Sequence, residues 1–173
     1  MELRNILFAG AAGALILTTG CASLSERPDA TAALAPRSGS NVTGEVRFAE
    51  TPRGLKIWAN VAGLTPGEHG FHVHESGDCS APDAMSAKGH FNPMNKAHGH
   101  HEAMEHHAGD MPNLVANANG EASYSIELVG VSLSGPAGVL GRSIVVHADP
   151  DDYRSQPAGN SGKRLACGVI AAR

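Results

Sequence analysis

The chain has 173 residues, 42% hydrophobic and 17% charged, with 13 Lys and Arg against 17 Asp and Glu for a formal net charge of −4. That length fits one domain with extensions, and an acidic balance without a basic stripe argues against a nucleic-acid partner. Ten His stand beside a single Trp in a chain with only 4% aromatics, and 21 Gly and 10 Pro announce many turns.

At the N-terminus, Arg4 precedes an apolar run, ILFAGAAGALIL (6–17). The run is too short for a stable membrane-spanning helix and has the shape of an export leader. It ends at TTGC (18–21), which resembles the lipobox of bacterial lipoprotein leaders, with Thr18 where that family usually has Leu. The resemblance implies a leader over 1–20 and acylation of Cys21. Because Ala22 and not Asp follows, it also implies a lipid anchor in the outer membrane, with the chain on the periplasmic side of a bacterial envelope. The alternative is a plain secretory leader cut at another bond. Setting Cys21 aside leaves Cys79 and Cys167. Two cysteines in an exported chain read as one disulfide.

Residues 22–40, small, polar and interrupted by prolines, read as a flexible tether, with the folded domain over 41–173. Period-two alternation then begins. Val42, Gly44, Val46 and Phe48 alternate with Thr43, Glu45 and Arg47; Leu55, Ile57, Ala59 and Val61 alternate with Lys56, Trp58 and Asn60. These are half-buried strands. In GFHVHE (70–75), strand geometry puts His72 and His74 on one side and Phe71 and Val73 on the other. Residues 76–113 have no period and are rich in Gly, Pro, Asn, Asp and His; a loop this long inside a domain points to function. Strand character returns around a hairpin turn at NANGEA (117–122), and again at SLSG (132–135), SIVVHAD (143–149) and RLACGVIAA (164–172), with a second loop over 149–163. The expected fold is all-β: an antiparallel sandwich or barrel with two long functional loops.

The histidines suggest metal. His90, His98, His107 and Asp110 lie in a loop free to bend around one ion, and three imidazoles with one carboxylate suit tetrahedral Zn²⁺. Four imidazole nitrogens suit Cu²⁺; His72, His74 and His147 supply three, and a fourth must come from the loop.

From about residue 41 to the end, GFHVHE, GHFNP, HAGDMPNL, GRSIVVHADPDD and GNSGKRLACGVI occur in order, and the chain resembles the copper/zinc superoxide dismutase family, of the bacterial exported type. The resemblance implies an eight-stranded Greek-key barrel and a copper site of His72, His74, His90 and His147. It implies a zinc site of His90, His98, His107 and Asp110, with the His90 imidazolate bridging the two metals. It also implies a Cys79–Cys167 disulfide, Arg164 above the copper, and Asp151 hydrogen-bonded to ligands of both metals. The substrate would be the superoxide anion, converted to O₂ and H₂O₂, and a homodimer is one assembly the family allows. An inactive metal-binding relative would lack a copper histidine or the arginine, and this sequence has both. A zinc hydrolase would need an open zinc position, which four protein ligands deny it.

Some residues read more plainly. His69 falls in a turn and reads as a surface or backbone-bonding residue. Trp58 reads as packing or interface on an outer strand face, and Asp149 and Asp152 as solvated loop charges. His100, His101 and His106 are surplus to the ligand sets. They form either a solvated polar loop or a low-affinity metal-collecting site, and His100 and His106 could also stand in for His98 and His107.

Overall fold

Why the chain builds a barrel follows from alternating side chains that bury one sheet face. In the computed structural model, which describes Met1 and residues 27–173, ten strands form and no α-helix occurs among the described residues. They are β1 (Ala30–Pro36), β2 (Thr43–Thr51), β3 (Gly54–Ala62), β4 (Gly67–His69), β5 (Phe71–His74), β6 (Leu114–Ala116), β7 (Ala122–Val129), β8 (Ser143–His147), β9 (Arg164–Val169) and β10 (Ala171–Ala172). One sheet of eight strands runs β5-β8-β9-β1-β2-β3-β7, with β10 on β1; β4 and β6 form a separate ribbon. Every pairing between these strands is antiparallel. Because β4 runs into β5 and β6 packs beside β7, the ribbon spans the gap between the two sheet edges. Merging β4 with β5 and β9 with β10 gives the eight staves expected, in Greek-key order.

The alternation read from sequence holds: Val46, Phe48, Leu55, Ile57, Phe71, Val73, Ile144 and Val146 fill the interior. Burying each such side chain contributes about 1.5–3 kcal/mol. The hairpin at 117–122 is closed by the Gly120 N–H donating to the Asn117 carbonyl at 3.0 Å, with Gly120 at φ +76°.

Two expectations need correction. Residues 30–36, read as part of a tether beginning at Ala22, are β1, which sits mid-sheet between β2 and β9. Its inward residues Ala30, Ala32 and Leu34 are buried; alanines facing alanines give almost no hydrophobic contrast, and Pro36 marks the strand's end. The domain therefore includes residues from at least Ala30 onward. The segment 132–135 is not a strand: Ser132 makes a single bridge to Gly138, across a turn that uses Gly135 at φ +81°. Residues 2–20 of the expected leader, Cys21 and residues 22–26 lie outside the described residues.

Residues 76–113 are irregular but firmly attached. A short 3₁₀ turn covers Met85–Ala87, and Cys79 is disulfide-bonded to Cys167 of β9 across 88 residues. The loop's far end adds to the free edge of β5. Val73 donates to the Gly109 carbonyl (3.0 Å) and accepts from the Phe91 N–H (2.8 Å), while His72 bridges Asp110 and His74 bridges His90. A Cβ on Gly109 would overlap the Val73 carbonyl, so this close approach requires glycine. The loop residues that carry chemistry are thus held in strand register beside His72 and His74.

Candidate metal centre

Two clusters of potential ligands form, each with its ligand atoms within 4.8 Å of one another: His72, His74, His90 and His147, and His90, His98, His107 and Asp110. All are buried, and His90 belongs to both. The first set comes from rigid elements, β5 and the end of β8, plus the loop. The second lies wholly in the loop, within reach of β5.

The hydrogen bonds decide which nitrogen of each ring faces inward. His74 Nδ1 donates to the Lys88 carbonyl at 2.9 Å, which leaves Nε2 inward, 3.3 Å from His147 Nε2. His72 Nε2 donates to Asp151 Oδ2 (2.8 Å) and His98 Nε2 to Asp151 Oδ1 (2.9 Å). Their Nδ1 atoms are buried and accept no hydrogen bond, as are His90 Nε2 and His107 Nδ1. Unpartnered buried nitrogens are costly unless something fills the place of a donor. Across the second cluster, Asp110 Oδ1 lies 2.8 Å from His90 Nδ1, 3.1 Å from His98 Nδ1 and 3.3 Å from His107 Nδ1. Ligands on a tetrahedral zinc, at about 2.0–2.2 Å each, stand roughly 3.3 Å apart, so the residues fit that ion. The other carboxylate oxygen, Oδ2, is occupied by the N–H groups of His107 (2.8 Å) and Gly99 (3.2 Å), which aims Oδ1 at the imidazoles. Four imidazoles in the first cluster suit copper.

His90 stacks on His72, ring centroids 3.9 Å apart, with Nδ1 toward Asp110 and Nε2 buried without a partner. Its pKa is pushed down to about 3 by burial and by His72, against the pull of Asp110. Burial also holds His74 and His147 well below the ordinary histidine range, with neighbouring imidazoles and Arg164 adding to it. At neutral pH these rings are neutral and offer lone pairs. For His98, burial opposes protonation, but its bonds to Asp110 and Asp151 outweigh it and raise the pKa to about 9. Asp110 and Asp151 stay ionised: burial would raise their pKa values, but the hydrogen-bonded histidines bring both well below the carboxylate range.

Arg164, half-buried at the start of β9, donates from Nη1 to the Ala84 carbonyl at 2.8 Å. It lines an open cleft of about 230 Å³ with His147, Met85, Gln156 and Gly162. A cation thus stands at the mouth of the first cluster. The disulfide lies three residues along β9, and Arg37 Nε donates to the Cys79 carbonyl (2.8 Å), so the loop wall beside Arg164 is tied down twice.

Several positioning residues escape sequence reading. Asn113 is buried; its Oδ1 accepts from the Asp151 N–H (2.9 Å) and its Nδ2 donates to the Asp151 carbonyl (3.1 Å). Gln156 clamps His98 in the same way, accepting from its N–H (2.8 Å) and donating to its carbonyl (2.9 Å). His69 is backbone-bonding as expected, but it is buried and not on the surface: Nδ1 donates to the His147 carbonyl at 2.9 Å. An Asn or Gln in a loop gives no signal of such clamping; the His69–His147 pairing spans 78 residues. Trp58 is half-buried on the outer face, with the Lys56 ammonium over its ring. His100, His101 and His106 stay outside both clusters.

Comparison with known proteins agrees with this geometry. The family pattern described as copper/zinc superoxide dismutase (SODC) matches residues 42–170. The chain is 44% identical over 165 residues to "Superoxide dismutase [Cu-Zn] 2" of Aquifex aeolicus, covering 92% of this chain and 95% of that one. It is 43% identical over 152 residues to "Superoxide dismutase [Cu-Zn]" of Onchocerca volvulus, covering 82% and 96%. A crystal structure of the clock protein EA4 superposes with a TM-score of 0.76 at 38% identity, covering 84% of this chain and 96% of that one. The chain belongs to the copper/zinc superoxide dismutase family, an enzyme family with copper and zinc as its cofactors.

Proposed function

We propose that the chain dismutes superoxide at a copper held by His72, His74, His90 and His147, with zinc held by His90, His98, His107 and Asp110, and that the His90 imidazolate joins them. The observation that carries this reading is that the two ligand clusters share one residue, His90, whose Nδ1 is turned to Asp110 while its Nε2 is buried with no hydrogen-bond partner. Two superoxide anions and two protons become O₂ and H₂O₂. When bound, copper supplies the one-electron redox change, and zinc, which has none, supplies a fixed charge. The chain's residues do the rest. Arg164 draws the anion into the cleft and orients it with its guanidinium fork. His90 takes up a proton at Nε2 in one half of the cycle and releases it toward the reduced product in the other. Asp151 fixes the tautomer of His72, so that its Nδ1 lone pair stays inward, and orients the ring of His98 through its Nε2. His147 belongs to the first cluster alone. Changing His147→Ala abolishes turnover and leaves zinc bound; a variant that keeps most of its turnover contradicts the copper assignment.

The setting is read from the first 40 residues: a leader over 1–20, a lipid anchor at Cys21, and a domain held on the periplasmic side of the outer membrane, where it protects the envelope from superoxide. TTGC and the apolar run before it support this reading. Cys21→Ala then moves the enzyme from the membrane to the soluble fraction with its specific activity unchanged. Unaltered membrane fractionation, or a mature mass without acyl groups, contradicts the anchor. A homodimer is tested by solution mass.

A further inference from the structure

Arg142 stands at the turn into β8 and belongs to neither ligand cluster. Its backbone is fixed: the N–H donates to the Val139 carbonyl at 3.1 Å, and the carbonyl accepts from the Ile170 N–H at 2.9 Å. The next residue, Ser143, pairs with His74 in the sheet. From this fixed point Nε donates to the Gly138 carbonyl at 2.8 Å, and Nη1 donates to the Glu75 carbonyl at 2.8 Å and to Glu75 Oε1 at 3.0 Å. The guanidinium carbon lies over the Phe91 ring, 3.6 Å from its centroid. Glu75 directly follows His74, and Phe91 directly follows His90. The Glu75 N–H donates to the Gly89 carbonyl at 2.9 Å and the Phe91 N–H to the Val73 carbonyl at 2.8 Å, so these bonds flank the His74–His90 bridge. One side chain thus grips the residue beyond each of two ligands, one on a strand and the other on the loop.

Charge is the lesser part of this grip. The Glu75 side chain is 47% exposed, and an ion pair so open to water contributes little. The Glu75 carbonyl and the buried Phe91 ring make a stricter demand. A planar guanidinium covers the ring face while donating in its own plane; a lysine ammonium cannot do both. We propose that Arg142 is a positioning residue, which sets the spacing of His74 and His90 and with it the geometry of the copper they hold. The proposal rests on reading those two histidines as copper ligands. Zinc depends on Arg142 less, because its other ligands, His98, His107 and Asp110, are held by Gln156, by Asp151 and by N–H groups of the loop itself.

The test compares the full chain with its Arg142→Lys variant, each loaded with zinc and copper. The substitution keeps the charge and loses the fork. The variant's copper absorption band and electron paramagnetic resonance spectrum differ from those of wild type, and its zinc content does not. Copper binding, measured by competition with a chelator, is about tenfold weaker, the lower end of the range for an outer partner of a metal ligand. Glu75→Gln, which removes the ion pair alone, leaves the copper spectra as in wild type. A lowered denaturation midpoint with wild-type copper spectra makes Arg142 a stabilising residue only and overturns the proposal. Copper spectra altered as much by Glu75→Gln as by Arg142→Lys overturn it too. Should Arg142→Lys fail to fold, Arg142→Gln, which keeps an uncharged donor, is measured in its place and judged by the same results. The dismutase reading is judged separately, by wild-type turnover with copper bound, and stands if this proposal fails.

Discussion

Asp151→Asn separates the two metals by tautomer. The buried carboxylate accepts from His72 Nε2 at Oδ2 (2.8 Å), and from His98 Nε2 (2.9 Å) and the Tyr153 N–H (2.7 Å) at Oδ1. An amide of the same shape has one oxygen. Left facing His98 and Tyr153, that oxygen satisfies two donors and sets the NH₂ against His72; turned round, it sets the NH₂ against two donors. The first orientation wins, so His72 bears the change. Facing a donor, His72 shifts its proton from Nε2 to Nδ1, the atom that must ligate. A lost hydrogen bond to a charged group costs about 1.5–3 kcal/mol, and loss of such an outer partner lowers metal affinity about 10–100-fold. Copper affinity, measured by competition with a chelator of known affinity, should fall by that factor, while zinc affinity falls less. A fall in zinc with copper untouched, or no change in either, refutes the tautomer argument. Asp151→Ala, which removes both acceptors, should weaken both metals.

Arg164→Ala should leave both metals bound and lower kcat/KM for superoxide about tenfold, with a weaker dependence on ionic strength than wild type, since a local cation and its screened field are lost; identical salt profiles contradict the role. Replacing Cys79 and Cys167 by Ser should lower stability by up to about 4–5 kcal/mol for the 88-residue separation, read from the denaturant midpoint. The metal-free chain, prepared by chelation, should lose stability in acid. The His90 pKa falls from 6.5 unfolded to about 3 folded, so the unfolded chain binds more protons below 6.5. Its contribution, of order 5 kcal/mol, is present above pH 6.5 and lost as the pH falls toward 3. His98 acts oppositely: its folded pKa is raised to about 9, so its contribution is present below 6.5 and lost as the pH rises through 9. Flat stability of the metal-free chain between pH 7 and 4 contradicts the burial of these rings.

His72 and His74 were legible as a pair because strand alternation fixes where they point, and His90, His98, His107 and Asp110 because a loop free to bend can bring three imidazoles and a carboxylate to one ion; that His90 also completes the first cluster followed only from the family resemblance. The barrel was legible from β2 onward for the same reason: Val46 and Phe48 against Glu45 and Arg47 leave little doubt about the buried face. β1 was not legible, because Ala30, Ala32 and Leu34 alternate with Thr31, Ala33 and Ala35, and methyl groups on both faces carry no polarity pattern. Its burial comes from β2 and β9 pairing on either side, a tertiary cause. The clamps on Asp151 and His98 were hidden for another reason. Asn113 and Gln156 act through backbone hydrogen bonds across 38 and 58 residues, and such bonds ask nothing of the sequence except a side-chain amide at the right place in space.

The central claim is that turnover belongs to the metal held by His72, His74, His90 and His147. The most direct test is to load the metal-free chain with one equivalent of zinc, add copper in steps, and measure superoxide consumption against copper bound. The account predicts negligible activity with zinc alone and a linear rise that stops at one copper per chain. Activity with zinc alone, or a fully copper-loaded chain that does not consume superoxide, would contradict it.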